Sequence, residues 1–137
     1  MTLEAETNSL RQTFKKEERL FEKKLIDRLF KEGNNFFQFP FKVVYLRLDE
    51  PAVYLAKILI SVPKRNFKRA VDRNRIKRLV REAYRRNKFI LNTTEKNEYK
   101  SKIYVIGFIY TARQLISFSE IERKIIIALQ QLKQEYE

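Results

Sequence analysis

The chain has 137 residues, 44% hydrophobic and 34% charged, with a net charge of +13, so it suits one domain with a buried core and is too hydrophobic for a disordered chain. It contains no His, no Cys and only two Gly, which excludes imidazole or thiolate metal sites, Ser-His and Cys-His nucleophiles, disulfides and a glycine-rich phosphate loop. No apolar run approaches the roughly 18 residues of a membrane span and no secretory-signal pattern opens the chain, so we expect a cytoplasmic protein that does not bind membranes.

The N-terminal part divides into a polar tail and a helix. Residues 1–15 lack sustained periodicity, so we expect a flexible tail before a single domain at 16–137. Apolar residues then recur at a spacing of four, in two sets: Phe21, Leu25 and Leu29, and Ile26 and Phe30. This spacing predicts a short first helix, which Gly33 would end with a left-handed cap.

Two segments rich in β-branched and aromatic residues follow, at 41–48 and 53–62. The sequence Asp-Glu-Pro between them supplies turn residues, so the two segments are predicted to form an antiparallel hairpin. One alternation of the second segment is wholly apolar: Tyr54, Ala56, Ile58, Ile60 and Val62. Lys57 and Ser61 interrupt the other alternation, so we expect one buried face.

The C-terminal part is predicted to form a strand and a helix. Residues 103–110 are apolar on both alternations, which is typical of a central strand covered on both faces. Two capping boxes compete to open the last helix: Ser117 with Glu120, and Ser119 with Glu122. Its apolar stripe comprises Ile121, Ile125, Ala128, Leu129, Leu132 and Tyr136. We expect this stripe to pack on the sheet.

The segment 64–88 holds twelve Lys and Arg against two acids, Asp72 and Glu82, and so carries ten of the thirteen net positive charges. Asp72 is a plausible N-cap for a helix there. The apolar stripe of that helix would comprise Ile76, Leu79, Val80, Ala83 and Tyr84. The opposite line comprises Asn74, Arg78, Arg81 and Arg85, with Arg75, Glu82 and Arg86 on one flank and Lys77 and Lys88 on the other. We expect Glu82 to pair with Arg78 or Arg86, four residues away.

Such a face has several readings. A solvated face is the ordinary one, but it usually mixes charge signs. A membrane-surface helix needs its apolar side free, whereas this side has a sheet to cover. DNA binding stays open, although no zinc finger is possible. A local field dominated by Arg favours nucleic acid over lipid.

The motif in this segment resembles that of the protein subunit of bacterial ribonuclease P. Its elements are the basic pair Lys64 and Arg65, the triplet Arg73, Asn74 and Arg75, and then Lys77, Arg78, Arg81 and Glu82. The resemblance implies an α+β fold, an α/β two-layer sandwich of order αβββαβα similar to ribosomal protein S5 domain 2. It also implies a left-handed βαβ crossover through the basic helix, although about 98% of crossovers are right-handed.

The resemblance also implies a function: promoting removal of the 5′ leader from precursor tRNA, as part of an endonuclease. By this resemblance the catalytic centre lies in an RNA subunit that holds magnesium, and the protein alone neither cleaves nor binds a metal tightly. The implied partners are the catalytic RNA and precursor tRNA, with no obligate protein partner. The alternatives are a general RNA-binding or ribosome-associated protein and a self-sufficient metal-dependent nuclease, against which the scattered carboxylates argue.

Two sites follow from the resemblance. The residues implied to bind the catalytic RNA are Lys64, Arg65, Lys68, Arg69, Arg73, Asn74, Arg75, Lys77, Arg78, Arg81 and Arg85. A cleft between the first helix and the sheet would stack leader bases on Phe30, Phe41 and Tyr45, with Ile26 where many relatives carry Phe. Core packing is the competing reading for Phe41. The three phenylalanines Phe36, Phe37 and Phe39 are either anchors at the sheet edge or part of the same cleft.

Overall fold

The computed structural model describes residues 16–49, 56–91 and 102–135. In order, these form α1 (Lys23–Glu32), β1 (Asn34–Gln38), β2 (Phe41–Asp49), β3 (Ala56–Ser61), α2 (Ala70–Asn87), β4 (Lys102–Tyr110) and α3 (Phe118–Glu135). Short 3-10 helices, Lys16–Glu18 and Lys88–Leu91, precede α1 and follow α2. The mixed α+β class and the order αβββαβα are confirmed, whereas the predicted tail at 1–15 lies outside the described residues.

The four strands form one sheet in the order β1-β2-β4-β3. Strand β2 runs antiparallel to β1 and β4, whereas β3 runs parallel to β4, to which α2 connects it. The predicted hairpin of 41–48 with 53–62 is therefore wrong, because β4 lies between those two strands. Residue periodicity identifies a strand but not its neighbour. The parallel crossover through the basic helix is confirmed, and its hand stays a prediction.

The hairpin of this sheet joins β1 to β2 through Phe39 and Pro40, whose peptide bond is cis. Strand β1 has the sequence Asn-Asn-Phe-Phe-Gln and only weak alternation of apolar and polar residues. Its place is set by pairing, with Phe36 opposite Val43 and Phe37 opposite Lys42. The two phenylalanines therefore lie on opposite faces of the sheet.

Helices α2 and α3 cover one face of the sheet and form the larger core. The stripe expected for α2 is confirmed, with Ile76, Val80, Ala83 and Tyr84 buried and Leu79 half-buried. The stripe expected for α3 is also confirmed: Ile121, Ile125, Ala128, Leu129 and Leu132 are buried. Tyr54 and Tyr136, expected on these apolar faces, lie outside the described residues.

Helix α1 packs on the opposite face. Its fully buried Leu29 joins a second cluster with Leu20, Val44, Leu48, Ile103 and Val105. A Cβ on Gly107 would lie 3.3 Å from a methyl carbon of Leu29, so glycine lets the helix approach β4 closely. Because helices cover both faces of β4, its prediction as the central strand is confirmed.

The helix ends differ in part from expectation. Gly33 has φ −72° and ψ 158°, so the predicted left-handed cap is wrong, but a Cβ there would lie 2.4 Å from the Leu29 carbonyl oxygen. Helix α2 begins after Arg69, which places Asp72 in the first turn and not at the N-cap. For α3, the Glu120 backbone N–H donates to Ser117 Oγ at 3.3 Å, which selects the first of the two capping boxes.

No helix in the described ranges is both long and apolar enough to cross a membrane.

Candidate nucleic-acid interface

The basic residues of 64–88 occupy a loop before α2 and the helix itself. Lys64 and Arg65 lie in a turn directly after β3, and both are exposed, as are Lys68 and Arg69. On α2, Asn74, Arg75 and Arg78 are exposed, whereas Lys77, Arg81 and Arg85 are half-buried. The sequence-predicted RNA-binding residues thus lie on the loop that follows β3 and on the helix that the loop leads into.

Arg73 holds the loop against the helix. Its guanidinium donates to the carbonyl oxygens of Phe67 at 2.7 Å and Lys68 at 3.0 Å. The Phe67 ring in turn packs on Tyr110 of β4, with centroids 6.0 Å apart. Because two hydrogen bonds and a ring contact hold this backbone, the loop cations are presented from an ordered position, which lowers the entropic cost of binding.

The basic residues differ in whether a carboxylate neutralises them. In the described ranges, four of the twelve form ion pairs: Arg69 with Asp72, Arg85 with Glu82, Arg86 with Glu122, and Lys88 with Glu18. The other eight have no carboxylate partner in those ranges: Lys64, Arg65, Lys68, Arg73, Arg75, Lys77, Arg78 and Arg81. We call these eight residues and Asn74 the open basic surface.

The neutralised residues concentrate at the end of α2. Glu82 accepts two hydrogen bonds from Arg85, at 2.6 and 3.1 Å, and this contact holds the pKa of Glu82 below its usual range. The predicted pairing of Glu82 with Arg78 or Arg86 is therefore wrong, because the residue three positions away is the better placed. Arg85, expected to bind RNA, is already engaged by a carboxylate.

The other two pairs at this end join α2 to the rest of the protein. Arg86 Nε lies 3.4 Å from Glu122 of α3, and Asn87 donates to the same carboxylate at 2.9 Å. Lys88 Nζ donates to both oxygens of Glu18 at 2.7 and 2.9 Å. The C-terminal end of α2 thus contributes to the fold through these contacts.

Arg19 is a cation near this surface that the sequence did not indicate. Burial lowers the pKa of Arg81, and the positive charges of Arg19 and Arg78 lower it further. Arg19 reaches this place because its backbone bridges to Ile58 on the outer edge of β3. No local pattern could have indicated it, since the two segments are distant in sequence.

The predicted aromatic cleft is only partly assembled. Ile26 is half-buried against the smaller core and Phe30 is 49% exposed, as expected for residues beside the sheet on α1. Phe41 and Tyr45 share a face of β2, as predicted, but they face α2 and α3. Phe41 packs edge-on against Phe108 and Tyr110, and the Tyr45 hydroxyl donates to Glu135 at 3.1 Å.

Phe41 and Tyr45 therefore cannot line a cleft beside α1, and the core reading of Phe41 is the correct one. The register was wrong by one residue, because β2 is apolar on most positions of both alternations and the pattern does not mark the α1 side. The β2 residues on the α1 side are Lys42, Val44, Leu46 and Leu48. Of these, Lys42 is exposed and Leu46 is half-buried, so these two strand side chains are the most accessible to a ligand beside α1.

The aromatic residues near the first hairpin divide between the two faces. Phe36 packs against the larger core and lies 5.7 Å from the Tyr45 ring. Phe37 and Phe39 are 60% and 50% exposed, with ring centroids 6.3 Å apart. The two alternatives left open for these residues therefore separate: Phe36 is an anchor, and the other two are on the surface.

Acidic residues do not gather into a metal site in the part of the chain that the structure describes. In the ranges 16–49, 56–91 and 102–135, no three carboxylates lie close enough together to hold an ion. The acidic groups near α2 are each paired with a cation, as Asp72 is with Arg69 at 3.0 Å. This arrangement fits a binding surface for an anionic partner.

Comparison with known proteins gives concordant results. A family model described as Ribonuclease P matches residues 14–133. A ribonuclease P protein component from Porphyromonas gingivalis strain W83 is 43% identical over 109 residues, which cover 79% of this chain and 77% of the relative. One from Chlorobaculum tepidum is 33% identical over 99 residues, which cover 66% of this chain and 62% of the relative.

Solved structures share the fold. An RNase P protein from Thermotoga maritima superposes with a TM-score of 0.65 at 24% identity, covering 83% of this chain and 96% of that one. An RNase P protein from Staphylococcus aureus gives a TM-score of 0.58 at 22% identity, covering 85% of this chain and 95% of that one. At these identities the likeness concerns the fold alone.

Proposed function

The chain belongs to the ribonuclease P protein family, and we propose that it serves that enzyme by placing its open basic surface on the catalytic RNA. The observation that carries this proposal is the distribution of ion pairs. Eight cations along the loop and α2 have no carboxylate partner in the described ranges, whereas those at the end of α2 are neutralised. Guanidinium groups on an ordered scaffold suit phosphate oxygens, which they bind through two parallel hydrogen bonds.

In this proposal the chemistry takes place in the RNA. The acidic residues of the described ranges do not fit a protein-held magnesium site, since no three of them cluster. Magnesium held mainly by the RNA would supply the charge stabilisation that phosphodiester hydrolysis requires. The protein contributes binding and orientation: its cations neutralise RNA phosphates, and its fold holds two nucleic-acid surfaces in a fixed relation.

The second surface would hold the 5′ leader of precursor tRNA beside α1. Phe30 exposes half of its side chain there, with Ile26 one turn earlier and Lys42 on the neighbouring strand. An aromatic ring can stack on any base, so such a surface binds a leader without strict sequence preference. Because a bacterial precursor tRNA is made and processed in one compartment, the proposal also places the protein in the cytoplasm.

The leader contact predicts a selective effect of Phe30→Ala in the reconstituted enzyme. Loss of one stacked base costs about 1–3 kcal/mol, so binding of leader-bearing precursor tRNA should weaken roughly 5- to 150-fold. Binding of mature tRNA should not change. The measurement is the equilibrium dissociation constant of each tRNA for the complex of protein and ribonuclease P RNA, at one fixed salt concentration.

The matched control is Phe89→Ala, which removes a phenylalanine that is 59% exposed, against 49% for Phe30, from the 3-10 turn after α2. It should alter neither affinity. If Phe30→Ala weakened both tRNAs alike, Phe30 would be part of the core and not of a leader site. If the wild-type protein strengthened the binding of both tRNAs to the complex equally, it would be better described as a general RNA-binding protein.

A further inference from the structure

Two phenylalanines at the tip of the first hairpin are exposed, and no element among the described residues covers them. Phe37 and Phe39 are 60% and 50% exposed, and their rings contact each other at 6.3 Å between centroids with a tilt of 55°. We propose that this aromatic pair is a second stacking site for the single-stranded 5′ leader, taking nucleotides beyond those held at α1. This inference rests on the proposed function and extends the leader-binding surface across the sheet.

The pair lies on the same sheet face as α1. Phe37 pairs in register with Lys42, and the next residue of β2 on that face is Val44, which packs in the cluster with Leu29 of α1. Phe39 is on the Phe37 side, as the ring contact requires. A strand bound beside α1 can therefore continue over β2 to the pair without crossing the sheet, about 5 Å per strand.

The geometry of the rings favours stacking by a ligand. At a tilt of 55° the two rings are not stacked in parallel, and half or more of each residue stays exposed, so ring surface remains open to a ligand. A flat heteroaromatic group can then lie on an exposed ring face. Stacking of this kind contributes binding free energy for any nucleobase, because every base has a π-face.

The surroundings favour RNA over an apolar protein partner. Lys42 is exposed beside Phe37, and Lys31 is exposed in the last turn of α1; neither has a carboxylate partner among the described residues. On the same face of β1, Asn35 is exposed, and its amide can both donate and accept hydrogen bonds. Two rings amid cations and an amide form a polar surface, whereas a protein-docking patch is usually a larger continuous apolar area.

The test uses the complex of the full protein with ribonuclease P RNA and precursor tRNAs that differ only in leader length. Three substitutions at one exposed position separate the possibilities: Phe37→Ala removes the side chain, Phe37→Leu keeps apolar area without a π-face, and Phe37→Trp keeps the π-face. With short leaders all three should bind like the wild type. With longer leaders the Ala and Leu variants should bind roughly 10-fold more weakly, which corresponds to about 1.4 kcal/mol, and the Trp variant should be unchanged.

Several results would overturn the inference. A loss that is equal at every leader length would mean that Phe37 supports the fold, and a Leu variant equal to the wild type would mean that the ring is used only as apolar area. Sedimentation analysis tests whether the pair instead binds a second copy of the protein. If the protein dimerises and Phe37→Ala abolishes the dimer, the pair is a contact between copies.

The outcome also distinguishes this inference from the proposal on which it rests. If short leaders strengthen binding and Phe30→Ala removes that gain, leader binding at α1 stands whatever Phe37 does. If no leader strengthens binding to the wild-type complex, the proposed function itself is contradicted.

Discussion

Replacing Arg75 and Arg78 together by alanine should weaken binding of the protein to ribonuclease P RNA by roughly 10-fold or more at low salt. Both side chains are exposed on α2 and have no carboxylate partner in the described ranges, so the fold should persist. Each lost phosphate contact lowers the slope of log affinity against log salt by about 0.7–0.9, so the slope should fall by about 1.4–1.8. The measurement is a binding titration at several salt concentrations.

The matched control removes the same number of charges from the other end of the helix. Arg85 and Arg86 are each paired with a glutamate, and replacing both by alanine should change the salt slope by less than half as much. An equal change of slope for the two double variants would show that RNA responds to the total charge of the helix. That result would contradict the distinction between the open basic surface and the neutralised end.

Replacing Glu18 by alanine should lower the free energy of unfolding by about 3 kcal/mol, because breaking a buried ion pair leaves the partner charge without compensation. The Glu18 side chain is 3% exposed and Lys88 is 22% exposed, and they join the segment before α1 to the end of α2. In a chain of this size the loss corresponds to a fall of roughly 10 °C in Tm. Thermal and urea unfolding of the protein without RNA measure it.

Two further variants separate the effect of breaking a buried ion pair from the effect of removing a charge. Glu32→Ala breaks an exposed pair with Arg28, 3.1 Å long, and should cost less than about 1 kcal/mol. The double variant Glu18→Leu with Lys88→Met should recover much of the loss, since apolar residues can replace a buried pair. If Glu18→Ala were no more harmful than Glu32→Ala, the contact between the N-terminal segment and α2 would not contribute to stability.

The basic helix shows how far sequence reasoning reaches. In α2 the spacing of Ile76, Val80 and Ala83 identifies the buried stripe, because each residue of a helix turns by a known angle. The positions of the cations are then also fixed, because they occupy the opposite side of the same helix. For the same reason the burial of α3 and the central place of β4 were predictable from periodicity.

The errors in strand pairing and in the face of β2 have a different cause: both depend on partners distant in sequence. Strand β3 pairs with β4 and not with its sequence neighbour β2, and β1 has too weak a pattern to be found. The face of Tyr45 depends on which side of β2 each helix covers. Likewise, no local pattern indicates the ion pair between Lys88 and Glu18, which are 70 residues apart in the sequence.

Cleavage of a 5′-extended precursor tRNA at low magnesium, under multiple turnover, decides whether the protein acts in ribonuclease P. Three samples are compared: a bacterial ribonuclease P RNA alone, the protein alone, and both together. We expect efficient cleavage at the mature 5′ end only in the mixture, and reduced stimulation by the Arg75→Ala/Arg78→Ala variant. Cleavage by the protein alone would place the catalyst in the chain, and a mixture no faster than the RNA alone would contradict a role in ribonuclease P.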